Sequence, residues 1–146
     1  MSDTTKETGE APAAENGAKA PLRLLKKDAF LKRDDRKYRD VPVPEWEEDG
    51  VVPIVRLQSL SGTEREEFET SITKTKADGT SSTDMKGARA KLLVKIIVDE
   101  EGRRIFDDSD VGALSQKSAA AIGRLFDEGS SLSGILKRDV EEAVKN

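Results

Sequence analysis

Cysteine and histidine are both absent from this 146-residue sequence, and only six aromatic side chains are present: Phe30, Tyr38, Trp46, Phe68, Phe106 and Phe126. Without cysteine there is no disulfide framework and no thiol nucleophile. Without histidine the commonest acid–base group is gone, and with it most zinc, copper and iron sites. What stays open is chemistry built on carboxylates alone, or a magnesium site. Long apolar runs are missing too. No stretch approaches the roughly 20 residues that span a bilayer, and the start has no apolar signal core. The expectation is a soluble binding protein, with no catalytic residues, no cofactor and no metal.

What is there is charge. Asp, Glu, Lys and Arg make up 37% of the chain, with a net charge of −4. It falls in blocks: residues 21–40 sum to +4, 41–70 to −6, 71–98 to +4 and 99–114 to −4. Blocks that cancel give no general pull toward nucleic acid. Residues 1–20, MSDTTKETGEAPAAENGAKA, hold one apolar side chain larger than Ala, Met1. Such a composition cannot offset its ordering entropy, so a disordered tail is expected there. Residues 21–146 are expected to form one domain with a small core.

Along that domain the periodicities favour helices. LRLLKKDAFLKRDD suits a short basic helix running through Lys32, capped by Asp28 and anchored by Leu25 and Phe30. VPVPEWEEDGVVPIVRL alternates on both sides of an EEDG turn signal and predicts a hairpin over about 41–57. Pro42, Pro44 and Pro53 remove ladder donors and confine that hairpin to an edge or to standing alone. Ser61 followed by Glu64 is a capping-box pattern, opening a helix with Phe68 and Ile72 on one face. KTKADGTSST reads as a polar loop. DMKGARAKLLVKIIV predicts a central helix capped by Thr83 or Asp84, whose β-branched end is compatible with a strand. Ser115 is expected to cap a helix ended by Gly129, SSLSG to be a linker, and ILKRDVEEAVKN a last helix. The expected fold class is mainly α: about four helices with one Pro-rich β-hairpin near the front.

IIVDEEGRRIFDDSDV, Ile96–Val111, crowds six acids around Gly102. A calcium loop with Gly102 at its sixth place puts Ile97 at the first, where no ligand is supplied. A catalytic carboxylate pair needs acids in unlike environments, and these are uniformly polar-flanked. The stretch reads as a turn at Gly102, followed by a helical turn capped by Asp107 or Asp108.

The full succession resembles a known family. VPVPEW, VRLQSLSGTEREEFE, ARAKLLVKIIVDEEGRRIFDDSDVGALSQKSAAAIGRLFD and LSGILKRDVEEAVKN, in that order over residues 22–146, resemble the small tail assembly chaperones of long-tailed bacteriophages, especially those of actinobacterial hosts. The resemblance implies a non-catalytic protein of the host cytoplasm that is not retained in the mature virion. Its implied partners are the tape-measure protein, which it keeps soluble, the tail-tube protein, and a frameshifted longer form of the chain itself. Trp46, Leu132, Ile135 and Leu136 are the candidate partner-binding residues, with packing inside the domain as the competing role for each. Two other functions compete: a structural virion protein of head–tail connector type, and a small DNA-binding regulator using the basic block Arg23–Arg39.

Overall fold

The computed structural model describes residues 20–135. The chain divides into two compact units, residues 1–35 and 36–146. The described part of the first contains one short helix, α1 (Lys27–Leu31), with no side-chain cap and no buried residue. Asp28 lies in its first turn rather than at the cap. Leu25 and Phe30 are exposed, so neither anchors it.

The second unit is a layered α+β domain. Strands β1 (Tyr38–Pro42) and β2 (Ile54–Gln58) pair antiparallel, Tyr38 opposite Gln58 and Pro42 opposite Ile54. The connection reverses at Asp49–Gly50, both at positive φ (53° and 78°), and Glu48 and Val51 exchange backbone hydrogen bonds of 3.0 and 2.9 Å. Two positive φ values in a row are what a tight hairpin turn with right-handed strands demands, and Asp-Gly supplies them. Pro44–Trp46 form a 3-10 turn inside that connection.

Ser61 caps α2 (Gly62–Ser71) with the reciprocal Glu64 hydrogen bonds that its spacing predicts. Thr73–Thr75 (β3) and Ser81–Thr83 (β4) form a second antiparallel hairpin around Gly79. The central helix α3 (Ala88–Ile96) begins after Gly87, in left-handed conformation, not at Thr83 or Asp84. It runs directly into β5 (Ile97–Val98), which pairs with Arg56 and Leu57 and places β2 in the middle of the sheet. A 3-10 turn at Asp108–Asp110 leads into α4 (Val111–Ser115), and α5 (Ala119–Leu132) closes the described chain.

The core lies between the sheet and the helices. α3 packs on α2, α4 and α5, and α5 lies across β1 and β2. Leu57, Leu92, Leu93, Ile96 and Leu125 are fully buried there. Gly129 marks the closest approach of the layers. A Cβ there would run into Cδ1 of Ile96 and meet Cδ1 of Leu57 at 3.8 Å.

Three further expectations are corrected. The fold class is not mainly α: the described residues hold five helices and five strands in two antiparallel sheets. The extra strands arise where β-branched residues follow a helix (Ile97–Val98) and where Thr and Ser flank a turn, compositions that suit a pleated surface. Ser118, not Ser115, caps α5, its hydroxyl accepting from the Ala121 N–H. Gly129 and the first residues of SSLSG lie inside that helix, because the missing Cβ is used for helix packing rather than for a stop. The stop comes at Gly134, φ 75°, where Ile135 N–H donates to Ser130 and Gly134 N–H to Ser131, the paired bonds of a Schellman cap. Ile135, its predicted first residue, belongs to this cap, and the rest of the last predicted helix lies outside the described residues.

Candidate interaction surface

Strand alternation sends neighbouring residues to opposite sides of the sheet. Val41, Val43 and Leu57 point inward and are buried. Tyr38, Asp40 and Pro42 of β1, with Ile54, Arg56 and Gln58 of β2, share the other side. That outer side is ordered by its own cross-strand pairs. Arg56 Nε and Nη2 donate to the two carboxylate oxygens of Asp40 at 2.7 and 3.0 Å, and Gln58 Nε2 donates to Tyr38 Oη at 2.9 Å. The Arg56 hydrogen bonds hold the Asp40 carboxyl below its ordinary value, and Asp40 in turn raises Arg56, with a smaller contribution from Glu100. Toward the hairpin tip this side ends at the exposed Ile54, and Val51 and Val52 of the connection are exposed as well.

The Asp99–Gly102 turn stands beside the other end of this face. Asp99 Oδ1 accepts from the backbone N–H groups of Arg103 and Glu101, both at 2.9 Å, and these bonds depress the Asp99 carboxyl. Gly102 has φ 83°, and a Cβ there would lie 2.8 Å from Tyr38 Oη. Tyr38, Arg56, Glu100 and Glu101 line a shallow hollow of about 410 Å³. The turn is therefore a structural one, as its sequence predicts, and Glu100 and Glu101 at its crest form no ion pair with another described residue. Asp107 caps the turn that follows, accepting from Ser109 N at 2.9 Å, while its own N–H donates to Asp110 at 2.9 Å.

The four candidate partner-binding residues fall elsewhere. Trp46 ends the 3-10 turn and packs half-buried against the core. That turn is tied to α5 by Glu45, whose carboxylate accepts from Arg124 Nη2 at 2.7 Å and Nε at 3.2 Å. Leu132 is the last residue of α5, also half-buried against the core. Ile135 sits in the Schellman cap at 7% exposure and belongs to the core itself. Leu136 lies outside the described residues. Leu132 and Ile135 come together at one helix end, and Trp46 is on the turn that packs on that helix. Sequence reasoning missed the outer sheet face. Its signal was the alternation of Val52, Ile54 and Arg56, which needed a knowledge of which side the helices cover.

Among the described residues no cluster of acidic side chains is arranged to hold a metal ion, and no described helix is long and apolar enough to cross a membrane.

No curated protein matches the sequence. The solved structure of the bacteriophage HK97 tail assembly chaperone is similar, with a TM-score of 0.50 at 20% identity over 73% of this chain and 89% of that one. At that identity the likeness bears on the fold. A family model described as phage tail assembly chaperone matches residues 25–146. With that match running through every element from α1 to α5, the chain belongs to the phage tail assembly chaperone family.

Proposed function

We propose that this chain is a non-catalytic chaperone that binds the tape-measure protein of a long-tailed phage and keeps it soluble until tail-tube subunits are recruited. As a family member it acts in phage tail assembly, within the host cell. The finer reading places it in the host cytoplasm and releases it before the virion matures. It takes as partners the tape-measure protein, the tail-tube protein and a frameshifted longer form of the same chain. Membranes and nucleic acids have no part in it. The observation that carries the reading is the family match over residues 25–146. A charged domain with apolar side chains left at its surface suits a chaperone for long amphipathic helices, which needs contact area and solubility but no catalytic group.

The partner-binding surface in this proposal is built on Trp46, Leu132, Ile135 and Leu136. Trp46 and Leu132 supply area at the rim of the core, and Ile135 anchors the helix end beneath them. The test is co-expression with the tape-measure protein encoded by the same phage, followed by pulldown of the soluble fraction. The expected result is a tape-measure protein insoluble alone, soluble with this chain, and co-purified with it. Trp46→Ala and Leu132→Ala should lower that recovery. A tape-measure protein that stays insoluble while this chain elutes alone overturns the proposal.

A further inference from the structure

The last described residues leave the domain at one end of the β1–β2 hairpin. Ser133 Oγ accepts from the Leu60 N–H at 3.1 Å, and Ser59 N–H donates to the Lys37 carbonyl at 2.8 Å, beside the Tyr38–Gln58 pair. The segment 136–146 therefore starts at the end of the hairpin opposite its tip. It reads LKRDVEEAVKN and lies outside the described residues. Its Leu136, Val140 and Val144 recur at helical spacing. Its charges change sign along the way: Lys137 and Arg138 come first, Asp139, Glu141 and Glu142 next, and Lys145 last.

The outer side of the same hairpin carries the opposite order. Glu100 and Glu101 stand beside Tyr38, at the end where the chain leaves. Arg56, the only cation of the two strands on this side, lies in the middle and is shared with Asp40. Glu47, Glu48 and Asp49 are exposed at the tip. α5 packs on the inner side of β1 and β2, while Tyr38 and Ile54 of the outer side remain 49% and 62% exposed.

We propose that residues 136–146 fold back as an amphipathic helix along the outer side of their own chain's hairpin, Leu136 over Tyr38 and Val144 over Ile54. The lengths agree. Leu136 to Val144 spans about 12 Å at helical rise, and Gln58 back to Ile54 spans about 13 Å at strand rise. The charges fix the direction: Lys137 and Arg138 meet Glu100 and Glu101, the central acids meet Arg56, and Lys145 meets the acidic tip. The size of the patch selects the occupant. Two or three exposed apolar side chains offer a separate molecule too little area to offset its lost translational and rotational freedom. A tethered segment meets the same patch at an effective concentration of roughly millimolar. The segment thereby shields Tyr38 and Ile54 in the free chain, and any partner that takes the outer side displaces it first.

Disulfide trapping in the full chain tests it, because the sequence has no cysteine of its own. Ile54→Cys with Val144→Cys should close a bond within one chain under mild oxidation, since the two Cα atoms come within the roughly 7 Å that a disulfide needs. Ile54→Cys with Leu136→Cys, at the wrong end, should not. Equal rates for the two pairs would mean a segment that samples the surface freely, and a bond formed mainly between chains would mean a different occupant; either overturns the proposal. Amide hydrogen exchange gives a second readout, because a helix this short has almost no protection by itself. Ile54→Ser, and separately Glu100→Lys with Glu101→Lys, should speed exchange of residues 136–146 about tenfold or more. All three side chains are exposed, so the domain stays folded. Adding Lys137→Glu and Arg138→Glu to the reversed turn should restore protection. Exchange unchanged by both face variants, or a combined variant without recovery, also overturns it. Neither readout involves the tape-measure protein, so a failure here leaves the proposed function standing.

Discussion

The two sides of the β1–β2 hairpin are made by the same two strands and differ in nearly every physical respect. Inside, Val41, Val43 and Leu57 are buried under α5 and owe their place to apolar area removed from water. Outside, Asp40, Arg56, Tyr38 and Gln58 are held by charge-assisted and neutral hydrogen bonds in contact with solvent, where such pairs add little stability. One residue of shift along the strand moves a side chain from one regime to the other. The inner side therefore carries the stability, and the outer side can change without unfolding the domain.

The sharpest way to break the comparison is to cut equal bulk from each side of β2. Leu57→Ala should cost about 2–5 kcal/mol, because Leu57 is fully buried against α5 and the cavity cannot refill. Ile54→Ala, three residues earlier and 62% exposed, should stay within about 0.5 kcal/mol. Urea unfolding of both measures the contrast. Equal losses would mean that the outer face is also packed.

A smaller effect is expected at Gly129. Alanine there gains about 1 kcal/mol of helix propensity but drives a methyl into Cδ1 of Ile96, which is fully buried and has no room to yield. Overpacking of that kind costs about 1–3 kcal/mol, so Gly129→Ala should be destabilising by about 1 kcal/mol net. Ile96→Val removes the offending carbon. Alone it should cost about 0.5–1.5 kcal/mol, yet in the Gly129→Ala background it should restore stability. A double-mutant cycle with no favourable coupling would place the close approach elsewhere.

How much of this was legible in the sequence differs by region, for physical reasons. Local chemistry was readable: the Ser61–Glu64 capping box, the Asp49–Gly50 reversal, the Gly102 turn and the Asp107 cap are each set by a few neighbouring residues. Long-range choices were not. Ile97–Val98 become a strand because Arg56 and Leu57 offer a partner, and Gly129 stays within α5 because Ile96 lies opposite. Neither partner is visible from the local pattern. The polar strands β3 and β4 escaped for a different reason: with most of their side chains exposed they lack the apolar alternation that marks a strand. The apolar residues selected as partner-binding followed the same limit. Ile135 reads as the first residue of a last helix in sequence, and only the Schellman cap shows why it turns inward.

Acid provides a finer probe of the outer side. With no histidine in the chain, no side chain at its ordinary value titrates between pH 5 and 8, so thermal stability should be flat there. Asp40, Glu45, Asp99 and Asp107 are all held below their ordinary values of 3.8 for Asp and 4.5 for Glu. A carboxylate depressed on folding contributes stability that is complete above its unfolded pKa and is lost as pH falls through the folded one. The melting temperature should therefore begin to drop near pH 4.5 and continue downward below 3.8. Asp40→Asn removes the outer-face share and should make the acid limb shallower. An unchanged limb would assign it to the other depressed carboxylates, Glu45, Asp78, Asp84, Asp99 and Asp107.

The smallest effect lies on the inner side, and its sign is the point. Ser130 of α5 is buried at 8% exposure, and its hydroxyl finds no hydrogen-bond partner among the described residues. Its backbone carbonyl serves the helix cap by accepting from Ile135 at 2.8 Å, a role that does not involve the side chain. Burying an unpaired hydroxyl costs about 1–3 kcal/mol, and alanine is also the better helix former by a few tenths. Ser130→Ala keeps the Cβ and the cap, so it should raise stability by up to about 1 kcal/mol, seen as a higher melting temperature with the same circular dichroism. A loss instead would mean that the hydroxyl is bonded, to an internal water, and that this corner of the core is wet.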